Sequence, residues 1–369
     1  MSIMGDKQVQ NAGDASTQMQ AGIINFYNGI DEKRAREIVD EKLHDLMSTY
    51  TIETREVMKK RIKKLEDDLV PKLVKENLLE SFGDPSFQLL LLEAEKSAAA
   101  TEREADTELL SELLIHRIKK GKNRNIRAGI SQAVKIVDEI SDEALLGLTV
   151  VHTILSYGPA KCNLNDGLEI LSSLFSSMLY DDLPKGDGWL DHLDILNAIR
   201  INPVSHILKI RDLYARSMAG FIDLGIKINS DTHQKALEIL DKANLPQSIL
   251  IPHELRDGYV RLGIVNIAEL DAIAIKFENI DKNNDCYRKL LNEVQKQAFI
   301  GVYNLYEKDE KKLQENKDSF MKKWNSYDSL REVREWWDSI KIGFSVTAVG
   351  NVLGHANAKG CNLEIPELK

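Results

Sequence analysis

The chain is poor in cysteine, proline and aromatic residues. Its three cysteines, Cys162, Cys286 and Cys361, are widely separated in 369 residues, and no two have the spacing of a zinc site. An odd number of widely separated cysteines indicates free thiols in a reducing compartment rather than a disulfide framework. Eight prolines and 21 glycines are too few for the many turns of an all-β protein of this length. Aromatic residues make up only 6%, whereas helix-favouring Leu, Lys and Glu are abundant.

The chain also lacks a long apolar run. Its most apolar segments, residues 87–92 and 145–155, are far shorter than the roughly 20 residues that span a bilayer. The first six residues contain no apolar stretch typical of a signal peptide. We therefore expect a cytoplasmic protein that makes no membrane contact. Its 43% hydrophobic and 29% charged residues are typical of a folded protein.

Signatures of catalysis and of cofactor binding are missing as well. The sequence contains neither phosphate-cradling pattern, G-x-x-x-x-G-K-[ST] or G-x-G-x-x-G, and no G-x-S-x-G turn. No histidine lies four residues from another, as in zinc-binding protease helices. We therefore expect no cofactor, and a protein that binds rather than catalyses. The net charge of −9 argues weakly against bulk attraction to nucleic acid, but a local basic patch is compatible with it.

From Asp31 onward, apolar residues recur every three or four positions, which is typical of amphipathic helices. Pro71 is expected to kink or end one of these helices. The triplet at 83–85, Gly-Asp-Pro, predicts the end of one helix, a cap and the start of the next. Residues 145–155 are apolar nearly all round, which predicts a central buried helix with His152 as a hydrogen-bonded core residue.

The two ends of the chain differ from this helical middle. Met19 and Ile23 lie on one side of an alternating pattern that predicts a short β-strand arm. Since a lone strand cannot pair its own edges, it must pair within the fold or with another chain, or remain disordered. Near the C-terminus, residues 342–347, 348–358 and 361–365 predict a strand, a helix and a second strand.

The sequence therefore predicts a mainly α protein. Its architecture is expected to be a multi-helical bundle with a short N-terminal β arm and a small strand–helix–strand C-terminal tail. Composition and breaks divide the chain into an extended arm (1–30), a helical hairpin (31–100), a helical core domain (101–270), a long helical pair (271–340) and a C-terminal α+β tail (341–369).

One charged segment stands out as a candidate binding site. It surrounds a predicted helix–helix turn and is called the basic turn below: Arg117, Lys119, Lys120, Lys122, Arg124 and Arg127. Such a turn can bind phosphate through its charge and through the free N–H groups of the following helix. The alternative is ordinary surface charge, because basic residues also suit helix C-termini.

Two further groups are candidates. Asp187, Asp191 and His192 could offer oxygen and nitrogen ligands to Mg²⁺ or Mn²⁺, although acidic residues also suit a helix start. A surface that contacts partner proteins is predicted from Met19, Ile23 and Phe26 in the arm and from Trp336, because apolar and aromatic side chains dominate such contacts. Packing of Trp336 in the core is the alternative.

Two parts of the sequence resemble known bacterial proteins. The segment Gly13-Asp-Ala-Ser-Thr-Gln-Met-Gln-Ala-Gly22, which leads to Asp31-Glu-Lys-Arg-Ala-Arg, is similar to N-terminal arms on bacterial conflict and phage-defence proteins. Residues 109–151 and 344–358 resemble a broad bacterial family of helical proteins without assigned activity. The resemblance implies a bacterial protein with a role in defence and supplies no site residues.

Three functions are therefore compared. The leading hypothesis is a non-enzymatic assembly component of a bacterial anti-phage or stress system, which forms homo-oligomers through its arm and contacts a co-encoded protein. The second is a nucleic-acid or nucleotide-binding protein that uses the basic turn. The third is a metal-dependent hydrolase that uses Asp187, Asp191 and His192.

Overall fold

The protein is mainly α-helical. A computed structural model describes residues 30–47, 50–159, 162–278 and 286–368, and within these it contains fifteen α-helices and seven short β-strands. The predicted fold class is thereby confirmed. The predicted N-terminal β arm lies outside the described residues. Among the residues described, no helix is both long enough and apolar enough to cross a membrane.

Residues 32–195 contain eight α-helices, most of which begin at a polar cap. They are α1 (Glu32–Met47), α2 (Ile52–Lys75), α3 (Pro85–Ala100), α4 (Ala105–Lys120), α5 (Arg124–Lys135), α6 (Asp142–Ser156), α7 (Leu164–Met178) and α8 (Gly188–Ile195). The predicted break at 83–85 is confirmed: Asp84 caps α3 by accepting a hydrogen bond from the Ser86 N–H, and Pro85 is the first helical residue.

Residues 210–361 contain the other seven α-helices. They are α9 (Ile210–Ser217), α10 (Ala219–Ile222), α11 (Asp231–Lys242), α12 (Glu293–Tyr303), α13 (Glu310–Trp324), α14 (Asp328–Ser339) and α15 (Ala348–Cys361). The segment 271–340, predicted as a long helical pair, instead contains two strands followed by three helices. Breaks at 304–309 and 325–327 keep these helices short.

Seven strands form three small antiparallel sheets. The strands are β1 (Ile199–Asn202), β2 (Ile226–Lys227), β3 (Leu250–Pro252), β4 (Tyr259–Leu262), β5 (Ala274–Glu278), β6 (Cys286–Leu290) and β7 (Gly343–Val346). β1 pairs with β7, β4 lies between β2 and β3, and β5 pairs with β6. The predicted strand at 361–365 is wrong, because α15 continues to Cys361 and a turn follows it.

The helix end predicted as one outcome at Pro71 does not occur, because α2 runs through it without a break. Proline removes one backbone hydrogen bond from a helix interior. In α2 the buried apolar side chains continue on both sides of the proline, with Leu69 and Val70 before it and Leu73 after it. Packing of this face against the core outweighs the local cost.

Two hydrophobic cores organise the described residues. The larger extends over α1–α10 and α13–α15, and the smaller lies within residues 226–306. The predicted hairpin 31–100 and the helices up to residue 222 share the larger core, so no gap in the packing separates them at residue 100. Arg261 and Glu254 join the two cores: Arg261 is fully buried, its Nε lies 2.7 Å from a Glu254 oxygen, and Glu254 also accepts from the Leu164 N–H.

The centre of the larger core is formed by α6 and α15. Residues 144–154 of α6 are buried, which confirms the predicted central helix. α15 packs chiefly against α6, α5 and α4. This packing is close at Gly354, where an added Cβ would lie 2.8 Å from the His152 Cβ and 3.2 Å from the Leu148 carbonyl oxygen. Glycine is therefore required there by space.

We predict that Gly354→Ala lowers the free energy of unfolding by about 1–3 kcal/mol, because the extra methyl group forces α15 and α6 apart. The matched control is Gly360→Ala in the same helix, where the nearest atom to the new Cβ lies 3.7 Å away on Glu108. The control is expected to be neutral or to stabilise the helix by about 0.5–1 kcal/mol. Urea unfolding measures both, and equal effects would contradict the packing described.

Candidate functional site

The basic turn lies between α4 and α5, as predicted. Asn123 caps α5, and its Oδ1 accepts hydrogen bonds from the Asn125 N–H at 3.0 Å and the Ile126 N–H at 3.4 Å. The Asn125 and Ile126 N–H groups, which belong to the helix start predicted to bind phosphate, therefore already have a protein partner. Any phosphate binding at this turn must depend on side-chain charge.

Two members of the basic turn are engaged within the fold. Arg117 is buried and donates from Nη2 to the Ser86 Oγ at 2.9 Å, and its pKa is lowered by burial and by the nearby Arg127. The Lys119 Nζ lies 2.7 Å from a Glu76 oxygen and 3.2 Å from a Glu367 oxygen. Arg117 thus connects α4 with the start of α3, and Lys119 connects α4 with residues that follow α2 and α15.

The other four members are called the outer cations: Lys120, Lys122, Arg124 and Arg127. Within the described part of the chain, none of the four takes part in an ion pair or a side-chain hydrogen bond. Lys122 and Arg124 are exposed, and the other two are half-buried. The structure thus places four positively charged side chains that form no ion pair on one turn, with Arg127 near enough to Asp84 to help lower the pKa of that carboxyl.

The predicted metal ligands do not form a binding group. Asp187 and Asp191 are exposed, at the start and in the first turn of α8. His192 is occupied by a structural contact, because its Nε2 accepts from the Ser141 N–H at the start of α6, at 3.1 Å. Among the described residues, no group of three or more His, Cys, Asp or Glu side chains is placed to hold a metal ion. This arrangement gives the hydrolase hypothesis no support.

The predicted partner contacts have different outcomes. Met19, Ile23 and Phe26 lie outside the described residues. Trp336 is only 8% exposed, its ring centroid lies 5.5 Å from that of Trp189, and its Nε1 donates to the Pro184 carbonyl oxygen at 2.9 Å. Trp336 therefore belongs to the core and is not available as an exposed contact.

A cluster of three buried histidines was not predicted as a group. His116 of α4, His152 of α6 and His355 of α15 are each at most 3% exposed. The ring centroids of His116 and His355 lie 4.8 Å apart, and those of His152 and His355 lie 5.7 Å apart. The sequence identified His152 as a core residue, but only the packing of α15 shows which histidines meet it.

Hydrogen bonds join part of this cluster. The Tyr157 hydroxyl lies 2.8 Å from the His355 Nδ1 and 3.3 Å from the His152 Nε2. The Ser156 hydroxyl lies 3.4 Å from the His152 Nδ1. The His355 Nε2 and both nitrogens of His116 are buried and make no hydrogen bond to a described protein atom. The His116 Nε2 lies 3.9 Å from a Glu367 oxygen.

Burial keeps these histidines neutral. It lowers the pKa of His116 and of His152 to about 4, and that of His355 to about 3. The neighbouring histidines and Lys359 further lower the pKa of His355. Burial of Glu367 opposes its ionisation, but hydrogen bonds from Lys359 and Lys119 outweigh this and lower its pKa to about 2. The cluster therefore has no positive charge at neutral pH.

The cluster borders a cavity of about 430 Å³. Its walls come from α5, α6, α15 and the C-terminal residues 366–368, and His152 and His355 line it. It is a candidate ligand site, because its lining combines apolar side chains with polar groups.

The histidine cluster predicts that stability falls in mild acid. In the unfolded chain these side chains become protonated as the pH falls below 6.5, their ordinary pKa. In the folded chain His116 and His152 stay mostly neutral until the pH falls to about 4. Stability is therefore full above pH 6.5 and is lost between 6.5 and 4. Each histidine should contribute on the order of 1 kcal/mol between pH 7.5 and pH 5.

Urea unfolding of the full chain at pH 7.5, 6 and 5 measures this loss. His116→Phe keeps a ring in the stack and removes one titrating group, so its stability should depend less on pH than that of the parent. The exposed His206 serves as the control position. A pH dependence that is unchanged in His116→Phe, or reduced equally in His206→Phe, would contradict the account.

Comparison with known proteins gives one match. No curated protein and no solved structure matches the chain. A family model matches residues 29–366, which include every helix described above. The chain therefore belongs to this uncharacterised protein family.

Proposed function

We propose that the protein acts by binding, and that its outer cations contact the phosphate backbone of a nucleic acid. The observation that supports this proposal is the set of four positive side chains on one turn, none of which is paired with a carboxylate in the described part of the chain. Like charges held close together repel, and a polyanion relieves that repulsion.

The mode of binding follows from the chemistry of the turn. No aromatic residue lies between Arg117 and Arg127, so the turn itself offers no aromatic ring on which a base could stack. The N–H groups at the start of α5 are occupied by Asn123. Contacts through lysine and arginine side chains alone favour binding that depends on salt and not on base sequence.

A charge-reversal variant tests this proposal. Lys120→Glu, Lys122→Glu and Arg124→Glu are combined, and Lys119 is left unchanged because its ion pairs hold the fold together. The control combines Lys235→Glu, Lys242→Glu and Lys311→Glu, which change the net charge equally at exposed positions. Fluorescence anisotropy with a mixed-sequence DNA duplex and with single-stranded RNA should show at least about tenfold weaker binding for the basic-turn variant only.

The salt dependence provides a second readout. The logarithm of the affinity should fall linearly with the logarithm of the salt concentration, and the slope should be lower by about two to three in the basic-turn variant. Equal affinities of the two variants, or a parent protein that binds neither oligonucleotide at 50 mM salt, would remove the proposal.

A second proposal concerns assembly. We infer that the N-terminal arm joins copies of the chain, or a co-encoded partner, in a bacterial anti-phage or stress system. It is favoured by the start of the family match at residue 29, which leaves the arm with Met19, Ile23 and Phe26 outside the matched segment. A strand-like pattern with apolar residues on one side is suited to pairing with another chain.

Deletion of residues 1–28 tests the assembly proposal. Light scattering should give an oligomer for the full chain and a smaller species for the truncated chain, with circular dichroism unchanged. Met19→Asp combined with Ile23→Asp should act like the deletion, whereas Gln18→Asp with Gln20→Asp, on the other side of the alternating pattern, should have no effect. A full chain that is monomeric at micromolar concentration would rule out assembly of the chain with itself.

A further inference from the structure

A cleft of about 810 Å³ lies between the start of α9, the C-terminal half of α13 and α14. Protein sites for small organic molecules typically have volumes of roughly 300–1,000 Å³, so the cleft has the size of such a site. Its lining is mainly charged. Four of the lining residues carry positive charge and are called the cleft cations below: Lys209, Arg211, Lys322 and Arg334.

The sequence of α13 explains why charged groups face this cleft. Asp318 and Lys322 are four residues apart, so both lie on the face of α13 that lines the cleft. The buried rings of Phe320 and Trp324 lie on another face of the helix, where they belong to the larger core. Packing therefore holds α13 by its apolar face and leaves the charged face to the cleft.

Hydrogen bonds hold the three walls of the cleft in position. The Arg211 Nη2 lies 2.7 Å from the Asp318 Oδ1, which joins α9 to α13. The Asp338 Oδ1 accepts from the Ile210 N–H at 2.9 Å, and the Lys209 Nζ donates to the Asp338 carbonyl oxygen, which joins α14 to the start of α9. Because these contacts exist in the protein without a ligand, the cleft is preformed, and preformed sites bind at a lower entropic cost.

The carboxylates of the lining already have partners. Asp318 pairs with Arg211, Asp338 accepts from the Ile210 N–H, and the Asp212 Oδ1 lies 3.2 Å from the Lys317 Nζ. Lys322 differs from these residues, because it is exposed and forms no ion pair or side-chain hydrogen bond within the described part of the chain. The cleft thus offers a positive charge that no described carboxylate pairs with.

Arg334 has donor groups that its ion pair does not use. Its Nη2 donates to the Glu335 Oε1 at 2.9 Å, and the Glu335 side chain is 61% exposed. Its Nη1 makes no hydrogen bond with a described residue. Exposed ion pairs of this kind contribute little free energy, so an anion in the cleft can compete for the guanidinium.

We propose that this cleft binds a small phosphorylated molecule, the phosphate monoester of a polyol, and that Lys209, Lys322 and Arg334 hold its phosphate. These three cations come from the start of α9, from α13 and from α14, so they line the cleft on different sides. A phosphate offers three acceptor oxygens that point in different directions and a charge near −2, whereas a carboxylate is planar and carries one charge. The proposal is independent of the basic turn and of the N-terminal arm.

The remaining polar groups of the lining suit hydroxyl groups on the ligand. Asp212 and Asp318 use their Oδ1 atoms in ion pairs, and their Oδ2 atoms accept no hydrogen bond from a described residue. An ionised carboxylate accepts several hydrogen bonds, so both residues can still accept from hydroxyl groups. Asn325 and Ser326 also line the cleft and can donate or accept. This set favours a polyol over a bare phosphate ion.

Two other hollows are less suited to an anion. The histidine cavity is lined by neutral His152 and His355, and its Glu367 already pairs with lysines. A hollow of about 610 Å³ beside Ile251 and Phe299 has neither lysine nor arginine among its lining residues. The cleft between α9, α13 and α14 differs from both because it has several cations in its wall.

Titration calorimetry of the full chain with defined probes tests the proposal. Ribose 5-phosphate is expected to bind saturably, and ribose is not expected to bind. Inorganic phosphate should bind at least about tenfold more weakly than ribose 5-phosphate, because it makes no contact with the carboxylates. No saturable binding of ribose 5-phosphate, or equal affinities for ribose 5-phosphate and inorganic phosphate, would overturn the proposal.

Two pairs of variants locate the binding. Lys322→Gln should weaken binding of ribose 5-phosphate about tenfold, whereas Lys311→Gln, at an exposed position of α13 outside the cleft lining, should bind like the parent. Ser326→Trp, at an exposed lining position, should obstruct the cleft and abolish binding, and the exposed Ser319→Trp outside the lining should not.

The charge-reversal variant of the basic turn separates this site from the nucleic-acid proposal. It should bind ribose 5-phosphate like the parent even where it has lost affinity for oligonucleotides. Loss of ribose 5-phosphate binding in that variant, or equal binding by the members of either pair, would place the phosphate elsewhere and overturn the proposal.

Discussion

The close contact between α15 and α6 determines most of the arrangement described. Because Gly354 has no side chain, the backbone of α15 can lie directly against the Cβ of His152. This contact places His355 beside His116 and His152, and it fixes the segment before α15, where β7 pairs with β1. It also directs the residues after α15 over the cluster, where Glu367 meets Lys119 and Lys359. A helix near the C-terminus thus completes a core that the first half of the chain begins.

The same contact brings a neutral site close to a charged one. The histidine cavity is lined by Ile126 and Glu367, whereas Lys119 of the basic turn pairs with that same Glu367. Burial keeps the histidines uncharged, although Lys359 and Lys119 lie nearby, because a proton on an imidazole would add to the positive charge already present. The Glu367 carboxylate pairs with the two lysines, whereas none of the outer cations forms an ion pair with a described residue.

Local features of the fold could be predicted from the sequence, and features that depend on distant contacts could not. The cap at Asp84 and the buried α6 follow from short patterns, because the interactions involved lie within one helix or one turn. The helix does not end at Pro71, because packing on both sides of the proline outweighs a local penalty. The burial of Trp336 depends on which segments meet in space, since its Nε1 donates to the carbonyl oxygen of Pro184. The histidine cavity is the extreme case, since Tyr157 and His355 are 198 positions apart.

Native-state hydrogen exchange of the α15 amides tests the central packing most directly. If α15 completes the core, amides 352–358 should exchange as slowly as amides 146–152 of α6, and both sets should open only with global unfolding. Both should also lose protection together as urea is added. Fast exchange of α15 through a local opening, while α6 stays protected, would contradict the account.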